Sequence, residues 1–161
     1  MATQLTPHFS LEELTTNGTH PEIKNELPLC YHDAILKLAK KLEEARAILD
    51  GAQIRVTYGY RGHELNKACG GSSTSAHCEA AAADIAPAGW QFRAAWEALI
   101  ADKYFMVGID QLILERGCIH VGLPLARRQY MPRHEIRTDA NHDGVRVYPL
   151  YGIWTPSGVQ K

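Results

Sequence analysis

The stretch Gln111-Leu112-Ile113-Leu114-Glu115-Arg116-Gly117-Cys118-Ile119-His120-Val121 decides the fold class. Two short runs rich in β-branched and apolar residues flank Arg116-Gly117, the pattern of a tight hairpin. With Arg116-Gly117 as a two-residue loop, Glu115 faces Cys118 and Ile113 faces His120. Side chains two apart share a face, so Ile113, Glu115, Cys118 and His120 point the same way. An antiparallel pair of this kind argues against a doubly wound parallel sheet.

Upstream, Gln53-Ile54-Arg55-Val56-Thr57-Tyr58 alternates as a strand, and Ala81 to Ala86 reads as a buried strand closed by Pro87-Ala88-Gly89. Between them, His63 to Cys69 makes a short helix that Gly70-Gly71 terminates. The longest periodic segment runs from about Tyr31 to Leu49. Its apolar positions Ile35, Leu38, Leu42, Ala45 and Ile48 recur at helical spacing, and Asp50-Gly51 stops it. Ser10 caps a short helix with Glu13 completing a capping box. Trp90 to Ile100 is a second amphipathic helix whose tryptophans, Trp90 and Trp96, belong to the core. Val145 to Leu150 reads as a late strand, and Asn141-His142-Asp143-Gly144 as a turn. Helices segregated from a cluster of short strands give an α+β fold: a small, antiparallel-rich sheet packed against helices.

The chain has 161 residues, 45% apolar and 22% charged, with a formal net charge of −1. That length suits one domain with one core. The charge gives no reason to expect nucleic acid or an anionic membrane as partner. No apolar run approaches the roughly 18 residues of a membrane span, and the N-terminus lacks the basic and apolar regions of a secretory signal. Cys30, Cys69, Cys78 and Cys118 form no CxxC pair and are expected as reduced thiols, with Cys30 and Cys69 as small buried hydrophobes. The arginines of Arg127 to Arg133 are expected on a solvated surface.

One carboxylate stands out. Asp84 sits inside Ala80-Ala81-Ala82-Ala83-Asp84-Ile85-Ala86, and a buried carboxylate requires a cationic partner or a metal. His77 lies seven residues earlier, across a run of small residues that lets loop turn into strand. His77 and Asp84 can therefore converge on one cation, and a hydrolytic zinc takes three protein ligands with a fourth position open. His120, on the hairpin face, fits the third place. Glu115 on the same face fits a general base that takes a proton from water and returns it to a leaving amine. His8, His20, His32, His63, His134 and His142 have no comparable context.

These residues carry a resemblance. The order His8-Phe9-Ser10-Leu11-Glu12-Glu13-Leu14, Val56-Thr57-Tyr58-Gly59-Tyr60-Arg61, then Ser75-Ala76-His77 through Ala83-Asp84 and Glu115 through His120-Val121 resembles the D-Ala-D-Ala carboxypeptidase, or hedgehog-type, family of zinc peptidases. It looks most like the phage-encoded, endolysin-like branch that cuts peptidoglycan stem peptides. The likeness covers about residues 8–122, leaving 123–161 as a C-terminal extension of a single domain.

The resemblance implies one zinc ion held by His77, Asp84 and His120, with Glu115 as catalytic base. It implies Arg61 as the holder of a substrate carboxylate, a task that suits a guanidinium. Ser75 would bind substrate or orient His77. It also implies action at the bacterial wall after release through a holin or as a virion component. Two positions depart from the family pattern. Ala80 replaces a glycine, which is tolerable only at negative φ. Cys118 replaces an aromatic residue; as a thiolate it could close the fourth zinc position and leave an inactive, metal-stabilised wall-binding or virion module. A thiol amidase built on Cys78 or Cys118 is the remaining alternative.

Overall fold

The computed structural model describes residues 2–138. The strand expected at Val145–Leu150 and the turn at 141–144 lie outside them. The order of elements is α1 (Leu11–Thr15), α2 (His32–Ile48), β1 (Ile54–Tyr58), α3 (His63–Ala68), β2 (Ala82–Pro87), α4 (Phe92–Ala101), α5 (Lys103–Val107), β3 (Gln111–Glu115), β4 (Cys118–Gly122) and β5 (Glu135–Thr138). The strands form one sheet in the order β1-β2-β4-β3-β5, antiparallel except for the β3–β5 edge. The expected α+β architecture holds.

Period-two alternation gives the sheet two different faces. Ala83, Ile85, Leu112, Leu114, Ile119 and Val121 are all 0% exposed and belong to the core with α2 and α4. Ile35, Leu38, Ala39, Leu42 and Ala45 supply the apolar stripe of α2. Trp96 of α4 is buried and donates its indole N–H to the Leu112 carbonyl at 3.2 Å. Burying each leucine, isoleucine or valine among them contributes about 1.5–3 kcal/mol. The opposite face carries Asp84 on β2, Cys118 and His120 on β4, and Ile113 and Glu115 on β3, in the hairpin register that Arg116-Gly117 dictates.

Local signals set most of the boundaries. Ser10 Oγ accepts from the Glu13 N–H at 3.2 Å, and α2 ends where Asp50 and Gly51 take positive φ. Gly70, at φ +70°, closes α3. Two elements lack a clear sequence signal. Helix α5 is one, capped by Asp102 Oδ1 on the Phe105 N–H at 2.8 Å. The other is β5, within the segment expected only as an extension.

Two sequence expectations fail. Ala80 adopts φ +54°, the left-handed region rather than the negative φ its methyl prefers. It does so because the turn carrying His77 must reverse into β2, with the Ala80 N–H held by the His77 carbonyl at 3.2 Å. Cys30 is exposed and Cys69 half-buried, whereas Cys78 is the buried thiol. Arg127 and Arg133 are surface residues as expected, each held in an ion pair: Arg127 Nε meets Glu79 Oε1 at 2.6 Å and Arg133 Nη2 meets Asp110 Oδ2 at 2.7 Å. Among the described residues no helix is long and apolar enough to cross a membrane.

Candidate metal centre

His77 reaches the sheet from a single 3-10 turn, Ala76–Glu79. Ser75 caps that turn, its Oγ accepting the His77 N–H at 3.4 Å. Asp84 and His120 sit directly opposite each other on β2 and β4. The three residues are 1%, 7% and 8% exposed. Their rings and carboxylate converge: His77 Nε2 to His120 Nδ1 is 3.2 Å, His77 Nε2 to Asp84 Oδ1 is 3.2 Å, and His120 Nδ1 to Asp84 Oδ1 is 2.8 Å. The two imidazole centroids are 5.0 Å apart.

Proton accounting shows why this triangle calls for a cation. His77 Nδ1 lies 2.7 Å from the Gly59 carbonyl oxygen, which can only accept, so Nδ1 carries the proton. Burial pushes the His77 pKa below its ordinary value and keeps the ring neutral. Its Nε2 lone pair therefore points at a carboxylate oxygen, acceptor against acceptor. A proton on His120 Nδ1 cannot satisfy both neighbours at full strength; a cation between the three atoms does.

The donor set fits zinc. Ligand bonds of about 2.0–2.1 Å around a tetrahedral ion place its ligand atoms about 3.3 Å apart, close to the observed 2.8–3.2 Å. Burial alone would raise the Asp84 carboxyl, but the two imidazoles outweigh it and hold the group well below the usual carboxylate range. The Gly59 carbonyl is the partner that fixes the His77 tautomer and ring orientation. Gly59 itself is required sterically, because a Cβ there would collide with the Leu14 carbonyl oxygen.

Glu115 stands beside this centre, with a carboxylate oxygen within 4.8 Å of an Asp84 oxygen and of Cys118 Sγ. Cys118 donates its S–H to Glu115 Oε2 at 3.6 Å. Burial, first of all, pushes the Cys118 thiol far above its ordinary value, and the carboxylates of Asp84 and Glu115 add to the effect. Cys118 groups with Asp84 and Glu115 and not with both histidines. Burial also raises the Cys78 thiol, leaving neither cysteine in the state a thiol nucleophile needs.

The metal donors open onto a cleft of about 440 Å³ whose walls include Arg61, Ser75, Ile113 and Glu115. Arg61 is half-buried over the Tyr58 ring, its guanidinium carbon 5.2 Å from the centroid. Its Nε is buried without a partner among the described residues. Every site residue expected from sequence therefore lies at one cleft. Sequence reading missed Gly59, whose role rests on its backbone carbonyl. It also missed Gln111, Arg133, Glu135 and Arg137, which line the same cleft. Alternation placed Gln111 on the site face in principle; nothing marked β5 as a strand.

A family model described as Peptidase M15 matches residues 7–121. No curated protein matches the chain.

Proposed function

Since the chain belongs to the M15 peptidase family, we propose that it is a zinc-dependent peptidase that hydrolyses an amide bond in the stem peptides of bacterial peptidoglycan, as a carboxypeptidase or an endopeptidase. One observation carries the reading: three buried ligand atoms 2.8–3.2 Å apart, the His77 lone pair set against an Asp84 oxygen, at the floor of a cleft beside a carboxylate.

In this reading His77, Asp84 and His120 hold one zinc ion. When bound, the ion supplies Lewis acidity, drawing charge from a carbonyl oxygen and easing the loss of a proton from water. Glu115 takes that proton as general base and delivers it to the departing amine nitrogen, so the amide C–N bond breaks as a C–O bond forms. The Cys118 S–H bond orients the Glu115 carboxylate. Arg61 offers a planar fork to a substrate carboxylate. Ser75 fixes the turn that presents His77. Release to the wall at phage lysis, or carriage on a virion tail, would bring the enzyme to this polymer.

The test is direct. Zinc-loaded protein is incubated with purified peptidoglycan and with defined stem peptides, and the products are identified by mass. Release of a terminal amino acid or a cut within the stem, blocked by chelation and restored by zinc, supports the proposal. Metal-dependent binding to the wall without any product overturns it in favour of a non-catalytic module.

A further inference from the structure

Strand β5 lies beyond the residues matched by the family model, yet it completes one wall of the cleft. The sheet register sets out a single row. Asp84 lies opposite His120, His120 opposite Ile113, and Ile113 opposite Arg137. Residues in register across neighbouring strands share a face, so Arg137 projects from the face that carries the metal donors and lines the same cleft. Two strand spacings of about 4.8 Å put its backbone about 10 Å from that of His120.

The charged groups around Arg137 are already engaged. Arg133 grips the fully buried Asp110 through Nε at 3.0 Å and Nη2 at 2.7 Å. Glu135 Oε2 accepts from Gln111 Nε2 at 2.7 Å and pairs with Arg133 Nη1 at 3.3 Å. These contacts hold β5 to β3. Arg137 is left with a side chain 48% exposed and an ion contact to Glu135 Oε1 at 3.6 Å, longer than a hydrogen bond. Among the described residues its fork makes no bidentate pair. Buried Ile113 lies between it and His120 and gives the cleft an apolar floor there.

We infer that Arg137 forms a second carboxylate subsite, so that the cleft selects an acidic peptide bound with one carboxylate at Arg61 and another at Arg137, on opposite sides of the metal centre. An extended peptide advances about 3.3 Å per residue, so the acidic residue lies about three residues from the bond at the metal. The inference builds on the peptidase reading for the position of that bond, while the subsite itself is read by binding.

The test uses full-length, zinc-loaded protein carrying Glu115→Gln to suppress turnover. The probes are N-acetylated tetrapeptides with Glu or Gln at the first position and alanine elsewhere, each made in the L and the D series. Affinities are measured by calorimetry, with the melting temperature as a control for folding. The expected result is a preference for the Glu peptide of about tenfold or more in one series. Adding Arg137→Gln abolishes the preference by weakening the Glu peptide alone, and Arg137→Lys retains part of it, keeping charge without the fork. Equal binding of both peptides, binding of neither, or a preference that survives Arg137→Gln overturns the subsite. Turnover by protein with native Glu115 is followed by mass in parallel. Cleavage without discrimination removes the subsite and leaves the peptidase; discrimination without cleavage does the reverse.

Discussion

His120 Nδ1 lies 2.8 Å from Asp84 Oδ1 across the β2–β4 pair, while Asp84 Oδ1 also faces the lone pair of His77 Nε2 at 3.2 Å. Without a cation this arrangement holds an acceptor–acceptor contact in a buried place, so metal binding and stability are coupled. Zinc at about a thousandfold excess over its dissociation constant stabilises the fold by about 4 kcal/mol. Differential scanning calorimetry with and without chelator measures this. His120→Ala and His77→Ala remove the zinc-dependent rise in Tm.

In the proposed mechanism Glu115 acts on protons and not as a ligand, which predicts that Glu115→Gln keeps bound zinc and melts near the parent temperature. Its turnover falls by about 10²- to 10⁴-fold, the usual contribution of a general base. Zinc content by atomic absorption and product formation by mass read the two properties separately; loss of zinc together with activity would make Glu115 a ligand instead.

Ala80, fully buried at φ +54°, holds a conformation that costs an L-residue about 1–2 kcal/mol. Glycine relieves the strain, offset in part by its greater freedom in the unfolded chain. Ala80→Gly therefore raises stability by up to about 1 kcal/mol, seen as a higher urea midpoint at unchanged slope. Ala80→Val lowers it.

Arg133 caps a carboxylate that has no exposure at all, Asp110. Arg133→Ala leaves that charge buried without its cation, met among the described residues only by the backbone N–H of residue 133, at a cost of about 3 kcal/mol. Arg133→Ala with Asp110→Asn costs less than the sum of the single changes, because the second removes the charge stranded by the first. Hydrogen exchange at β5 amides accelerates in Arg133→Ala, since the same pair anchors that strand.

The N-terminal segment carries an acid-sensitive tether. Glu43 accepts from the His8 backbone N–H and contacts His8 Nδ1, both at 2.9 Å. Burial pushes the Glu43 carboxyl up, but the hydrogen bonds from His8 outweigh it and bring it below its reference value of 4.5. A carboxyl lowered on folding stabilises the native state above its unfolded value and loses that contribution as pH falls through the folded one. Stability therefore declines below about pH 4.5, and Glu43→Gln flattens that part of the profile in pH-dependent thermal melts.

The sequence by itself determined the hairpin register, the helical stripe of α2 and the three candidate donors that the fold brings together. Each follows from short-range rules: a two-residue loop, a 3.6-residue period, and the expense of an unpaired carboxylate among alanines. Tertiary structure alone decided what depends on long-range closure. The Gly59 carbonyl selects the His77 tautomer because β1 passes beside the 76–79 turn. Ala80 tolerates its left-handed backbone because the surrounding turn enforces it. Strand β5 forms because β3 offers a free edge and Asp110 a buried charge, and that pairing brings Arg137 into the row of Asp84 and His120. Local pattern encodes what a segment can become; only packing against distant segments selects which backbone groups and which cations share a site.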